Sequence, residues 1–144
     1  MLLWFRNLAA YIICAIASVA LARWMQSSVV SDVLLPNLTT IVLALLAINV
    51  QTTAVIAVKL REIADKNNFD FSRSVQEFRI AFYEQGSLFV ISLGLSAISK
   101  AKIEVISLPI IEGLSFFVLY AGLHIFIDTT IGLLTCLFPE STQE

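Results

Sequence analysis

Apolar residues run through this chain in four long stretches, and the polar residues fall between those stretches rather than alternating within them. The first stretch lies between Arg6 and Arg23, and the second runs from Val33 to Val58. The third lies between Arg79 and Lys100, broken by Glu84. The fourth lies between Glu112 and Glu140, broken by His124 and Asp128, and Pro139 ends it. About 20 apolar residues of helix cross a hydrocarbon core. In lipid a helix satisfies its own backbone hydrogen bonds within one segment, and the two-residue alternation of a barrel strand is missing here. Pro36 suits a first helical position, which starts the second helix near Asn37. The pattern predicts an all-α, polytopic membrane protein: one domain, 1–144, forming a four-transmembrane-helix bundle. The spans are expected at about 7–23, 37–58, 80–99 and 113–138, with a cytoplasmic helical hairpin over 59–79 between helices 2 and 3. Ala20-Leu21-Ala22 offers the first span a rival reading as a cleaved signal peptide, but Arg6 alone makes a weak n-region.

Composition agrees with lipid as the main solvent. Hydrophobic residues are 58% of the 144 and charged residues 14%, leaving too little polar surface to cover a water-soluble globule. A soluble enzyme is thereby excluded. The net charge of -2 excludes a strongly basic nucleic-acid binder, so the expected surroundings are the lipid bilayer, with no direct nucleic-acid contact. Cys14 and Cys136 stand singly. There is no Walker loop, HExxH or GxSxG, and His124 is the only histidine, so no catalytic residue, metal or cofactor is expected. Small four-span multidrug exporters carry an essential glutamate in the first span, and this first span has no acid.

Basic residues orient the chain. Lys59, Arg61, Lys66, Arg73 and Arg79 lie in the middle connection and Arg6 in the N-terminal tail, against Arg23, Lys100 and Lys102 in the other two loops. Both termini and the 59–79 hairpin are therefore expected in the cytoplasm. Within the hairpin, Asn67-Asn68-Phe69-Asp70 reads as a turn, and Ser74 with Glu77 as a capping box, so the third helix starts at about Ser72 or Ser74. Phe69, Phe71 and Phe78 are apolar residues on this projection. They either pack its tip or touch the lipid surface, or, with Arg61, Arg73 and Arg79, dock a soluble effector.

Ionisable groups at membrane depth are functional candidates. Glu84 lies within reach of Arg79, Lys59 or Arg61, which predicts ion pairing at the inner interface. Asp128 is about 15 Å deep by helical rise, and Asn49 is at a similar depth. His124 shares a helix face with Asp128. Asn49 and Thr53 share a face with Thr52 beside it, while Gln51 points roughly opposite. Two readings of this polar cluster stay open: interhelical glue, with Asp128 withdrawn from lipid, or the lining of a wet, ion-responsive path. Gly86, Ser92, Gly94 and Ser96 on the third span are small enough for close helix packing, within one chain or between copies.

Several segments carry a family resemblance: Leu45-Leu46-Ala47-Ile48-Asn49-Val50-Gln51-Thr52-Thr53, Lys59-Leu60-Arg61-Glu62-Ile63, Glu77-Phe78-Arg79, and Tyr83-Glu84-Gln85-Gly86-Ser87-Leu88-Phe89. Over the central third of the chain they resemble small four-span bacterial membrane proteins of anti-phage systems. The membrane subunits of Kiwa systems are the nearest pattern, and the membrane partner of lambdoid Rex exclusion systems a weaker one. The resemblance implies a non-enzymatic component of phage defence in a bacterial inner membrane that forms homo-oligomers and works with a cytoplasmic partner at the hairpin. A small ion channel or proton-coupled transporter using Asp128, His124 and Asn49 is the alternative. A holin-like membrane-perturbing protein is a second, opposed by the acidic tail Pro139-Glu140-Ser141-Thr142-Gln143-Glu144.

Overall fold

A computed structural model describes residues 2–67, 72–100 and 108–137. Four long helices account for nearly all of them: α1 (Leu2–Trp24), α2 (Leu35–Asn67), α3 (Ser72–Lys100) and α4 (Leu108–Leu137). No strand occurs among the described residues. All four are long and apolar enough to cross a membrane, and the protein is a multi-pass membrane protein with an all-α, four-helix fold. Its outer faces are apolar on every helix. Ile13, Ile16, Val55, Val90 and Ile131 are all exposed, as a surface bathed in acyl chains requires.

The helix ends follow local chemistry. α1 stops in a Schellman motif: the Ser27 N–H donates to the Ala22 carbonyl at 2.9 Å and the Gln26 N–H to the Arg23 carbonyl at 3.0 Å. Gln26 takes the left-handed conformation that the motif needs, with φ 51°. The second helix starts earlier than Asn37. A π-helical turn over Val30–Leu34 runs straight into α2. Pro36 has no N–H and would crowd the carbonyl four residues back, and the wider turn relieves both problems. The Asn37 side-chain amide then donates to the Val33 carbonyl at 2.8 Å. α3 begins at Ser72, which places Ser74 inside the helix rather than at its cap. α4 begins at Leu108, with Pro109 in its first turn.

Side-chain pairs fix the antiparallel order. Arg23 meets Glu112 at 3.5 Å near one end of the α1–α4 pair, and the Asn7 amide donates to His124 Nε2 at 3.3 Å near the other. Between them Ser18 and Tyr120 share a 2.7 Å hydrogen bond, and Tyr11 packs edge-on to Phe117 at 6.0 Å. α2 and α3 are joined by Thr39, whose hydroxyl shares a 3.0 Å hydrogen bond with Ser96 and reaches the Ser92 carbonyl at 3.3 Å. α4 is the central helix and packs against α1, α2 and α3. At Gly122 it comes close enough that a β-carbon would touch Leu45 and Leu88 at 3.7 and 3.9 Å.

The core lies where α2, α3 and α4 converge. Leu38, Val42, Leu88, Leu95, Val118 and Ala121 are buried together there. A smaller cluster, Ile56 and Leu60 with Phe78, joins α2 to α3 near the connection between them. Ser92 is completely buried in this packing, as the small-residue pattern predicts, and Ser96 faces α2. Gly86 and Gly94 take no part in close packing, because a β-carbon on either would meet nothing within 4 Å. Small size permits close approach but does not say which face is approached.

Candidate functional site

α1 and α3 both lie against α4 without packing extensively on each other. They therefore leave a groove with α4 as its floor. Its volume is about 540 Å³. α1 supplies Asn7 and Tyr11, α3 supplies Glu77 and Glu84, and α4 supplies His124 and Asp128. His124 and Asp128 share one face of α4, as their four-residue spacing predicts. Asn7 holds the imidazole by its hydrogen bond, and Tyr11 lies against it at 5.5 Å between ring centres.

Asp128 stands differently from the sequence-based expectation. Its side chain is exposed at the groove instead of being withdrawn against polar groups of α2. Glu84 is exposed in the same groove. Neither carboxylate has a hydrogen bond or ion pair among the described residues. The expected ion pairing at the inner interface is also redistributed. Lys59 pairs with Glu62 at 3.0 Å, one turn along its own helix. Arg61 is exposed, and Arg79 lines a different cavity from Glu84. Five residues turn a helix through about 500°, so Arg79 and Glu84 point about 140° apart.

A second cavity, of about 330 Å³, opens between α2 and α3. Asn49 and Thr53 line it from α2, Phe78, Arg79 and Gln85 from α3, and Thr129 from α4. Thr52 is half-buried beside them and Gln51 is exposed on the other side of α2, as their order on the helix predicts. Gln85 is only 2% exposed and Asn49 5%. Both amide atoms of Gln85, and the Asn49 Oδ1, have no hydrogen-bond partner among the described residues. Thr129 is satisfied, its hydroxyl donating to the Ile125 carbonyl at 2.7 Å.

The expected single cluster of Asn49, Gln51, Thr52, Thr53, His124 and Asp128 is thus two sites. His124 and Asp128 face α1 and α3, while Asn49 and Thr53 face α3 across a separate cavity. The division is a matter of direction. Depth along each helix was legible, but Asp128 and Thr129, one residue apart, point about 100° apart. Thr129 and Ala81 line both cavities and form the wall between them. Gln85, the most deeply placed polar group of the second cavity, was missed as a site residue. An amide six residues inside Arg79 was the signal that could have found it.

The docking residues proposed on the hairpin are only partly placed. Arg61 and Arg79 are exposed. Arg73 lies on α3, and Phe69 and Phe71 fall outside the described residues. No group of three or more His, Cys, Asp or Glu residues able to hold a metal occurs among the described residues. No protein-family model, curated protein or solved structure matches this chain.

Proposed function

We propose that this protein is a non-enzymatic component of a bacterial phage-defence system in the inner membrane. It forms homo-oligomers, keeps both termini cytoplasmic, and couples the membrane to a cytoplasmic partner through residues 59–79. The supporting observation is the length of α2. Its 33 residues are about 50 Å of helix, against a bilayer of about 40–45 Å including headgroups, and the preceding π turn adds to that. The excess falls beyond Val58, where Lys59, Arg61 and Glu62 are exposed. A charged helical projection of this kind is a contact surface for a soluble protein. The phage-defence assignment rests on the central-third resemblance. Oligomerisation is supported by the groove, since two unpaired carboxylates on membrane-spanning helices are costly and a second copy would cover them.

Reversing charge at Arg61, Arg73 and Arg79 together tests this reading. Co-purification of the cytoplasmic partner and protection against phage are both expected to be lost, with membrane insertion unchanged. Full protection and full co-purification in the triple variant overturn it.

A second reading, ion-coupled transport, is favoured by one observation: Glu84, His124 and Asp128 face a common groove between helices long and apolar enough to cross a membrane. Flux into proteoliposomes is its measurement. Flux that depends on Asp128 supports it, and equal flux for the native chain and Asp128→Asn removes it.

A further inference from the structure

α1 is the least buried of the four helices and packs substantially on α4 alone. Its free side carries Arg6, Ala10, Ile13 and Ala17, which fall on one exposed face of the helix. Ala10 and Ala17 are small enough to let another helix come close. Arg6 has no ion pair among the described residues. It is turned about 100° from Asn7 and about 140° from Tyr11, which both line the acidic groove, so it points away from the groove of its own chain. Its depth nonetheless matches. Asn7 meets His124; Arg6 is one residue further toward the start of α1, and Asp128 one turn further toward the end of α4. The two helices are antiparallel, so both steps run the same way, and Arg6 and Asp128 stand within about 5 Å of one level.

Charge and direction together choose the occupant of the groove. Glu84 and Asp128 line it without a partner among the described residues, while a free guanidinium at their level faces the other way. Copies of one chain cross a bilayer in one orientation, so a residue meets groups of its own level on a neighbour. We propose that α1 of a second copy lies along the groove, its Arg6 pairing with Glu84 beside Asp128. The arginine fork suits a carboxylate, and its long stem can stay against apolar walls such as Leu8 and Phe117. One guanidinium against two carboxylates leaves the groove still acidic. The two patches lie on different sides of one chain, so the contact is head-to-tail, and the shared orientation lets it close into a ring. This inference rests on the homo-oligomer reading and deepens it by naming the surface through which the copies meet.

α1 and α3 run in the same direction. Ala10, one turn on from Arg6, therefore comes opposite Ser87, one turn on from Glu84 in the neighbour's groove. Two full-length chains with tags of different size, both carrying Cys14→Ser and Cys136→Ser, are co-expressed, one with Ala10→Cys and the other with Ser87→Cys. Each then has one cysteine, so no disulfide can form within a chain. Oxidation in membranes is expected to link the two unlike chains and neither chain to its own kind. Val55→Cys, on the exposed face of α2, in place of Ser87→Cys is expected to give no product. Arg6→Glu in the chain with Ala10→Cys sets like charges together and is expected to cut the yield at least about tenfold. Glu84→Arg in the receiving chain is expected to restore it. The mass of the native chain in lipid nanodiscs is measured alongside. An oligomer whose unlike chains do not link overturns this inference alone and leaves lipid in the groove. A monomer overturns the oligomer reading and this inference with it. Undiminished linking with Arg6→Glu overturns the inference too. The cysteine pair with native charges decides the matter even where Arg6→Glu does not insert.

Discussion

Near the α1–α2 turn, the buried hydroxyls of Ser92 and Ser115 each donate to a carbonyl of their own helix, at 2.7 and 2.8 Å. Halfway along α2 and α3, the buried amides of Asn49 and Gln85 have atoms without a hydrogen-bond partner among the described residues. The same division runs through the charges. Arg23 and Glu112 pair across α1 and α4, whereas Glu84 and Asp128 line a groove without partners among the described residues. It runs through the packing too: Leu38, Val42, Leu95 and Val118 close one region, and two cavities open the other. Polar groups in the closed part are satisfied, within one helix at Ser92 and Ser115 and between helices where Arg23 meets Glu112. In the open part the carboxylates of Glu84 and Asp128 are exposed and the amides of Asn49 and Gln85 are buried with unmet atoms, both at a cost in stability that a purely structural bundle would have no reason to carry. The difference separates scaffold from candidate site within one short chain.

Mutations can break this contrast or sharpen it. The largest effect is expected in the closed part. Leu38, fully buried, loses its contacts with α3 and α4 in Leu38→Ala, and unfolding in mixed detergent micelles should show a loss of about 2–5 kcal/mol. A loss below about 1 kcal/mol would mean that this region is no better packed than the other. In the open part the sign reverses. Asp128→Asn removes an unpaired carboxylate and should raise stability in the same assay by about 2 kcal/mol. A marked loss instead would show that the carboxylate has a structural partner.

Smaller effects follow. Gln26→Gly relieves the left-handed backbone at the α1 cap and should add about 1 kcal/mol. Thr39→Val removes the hydroxyl bridge to Ser96, at a cost near ~0.6 kcal/mol for an interhelical bond in lipid. Gly94→Ala meets open space and gains helix propensity, so it should be neutral or stabilising by about 0.5–1 kcal/mol. Destabilisation there would reveal a close neighbour on that face, as a second copy of the chain would provide.

The continuation of α2 past Val58 was readable in advance because charge reports depth. Lys59, Arg61 and Glu62 have to leave the hydrocarbon, and α2 continues through them to Asn67. Face-sharing within one helix was readable for the same kind of reason. His124 with Asp128, and Asn49 with Thr53, fall together because the helical repeat is fixed. The start of α2 was not readable, because the π turn that accommodates Pro36 has no sequence signature of its own. The grouping of polar residues from different helices was not readable either. Asn49 and Asp128 match in depth, yet they face different cavities.

The sequence by itself determined four apolar helices, their order, and how far along each one a polar group lies, since hydrophobicity and a rise of about 1.5 Å per residue act locally. Only the tertiary structure decided that α4 is central, that α1 and α3 flank it without closing over Asp128, and that Gln85 and Asn49 line one cavity between α2 and α3. Neighbour choice depends on packing between surfaces that are all apolar. In lipid no difference in hydrophobicity marks which of those surfaces turns inward.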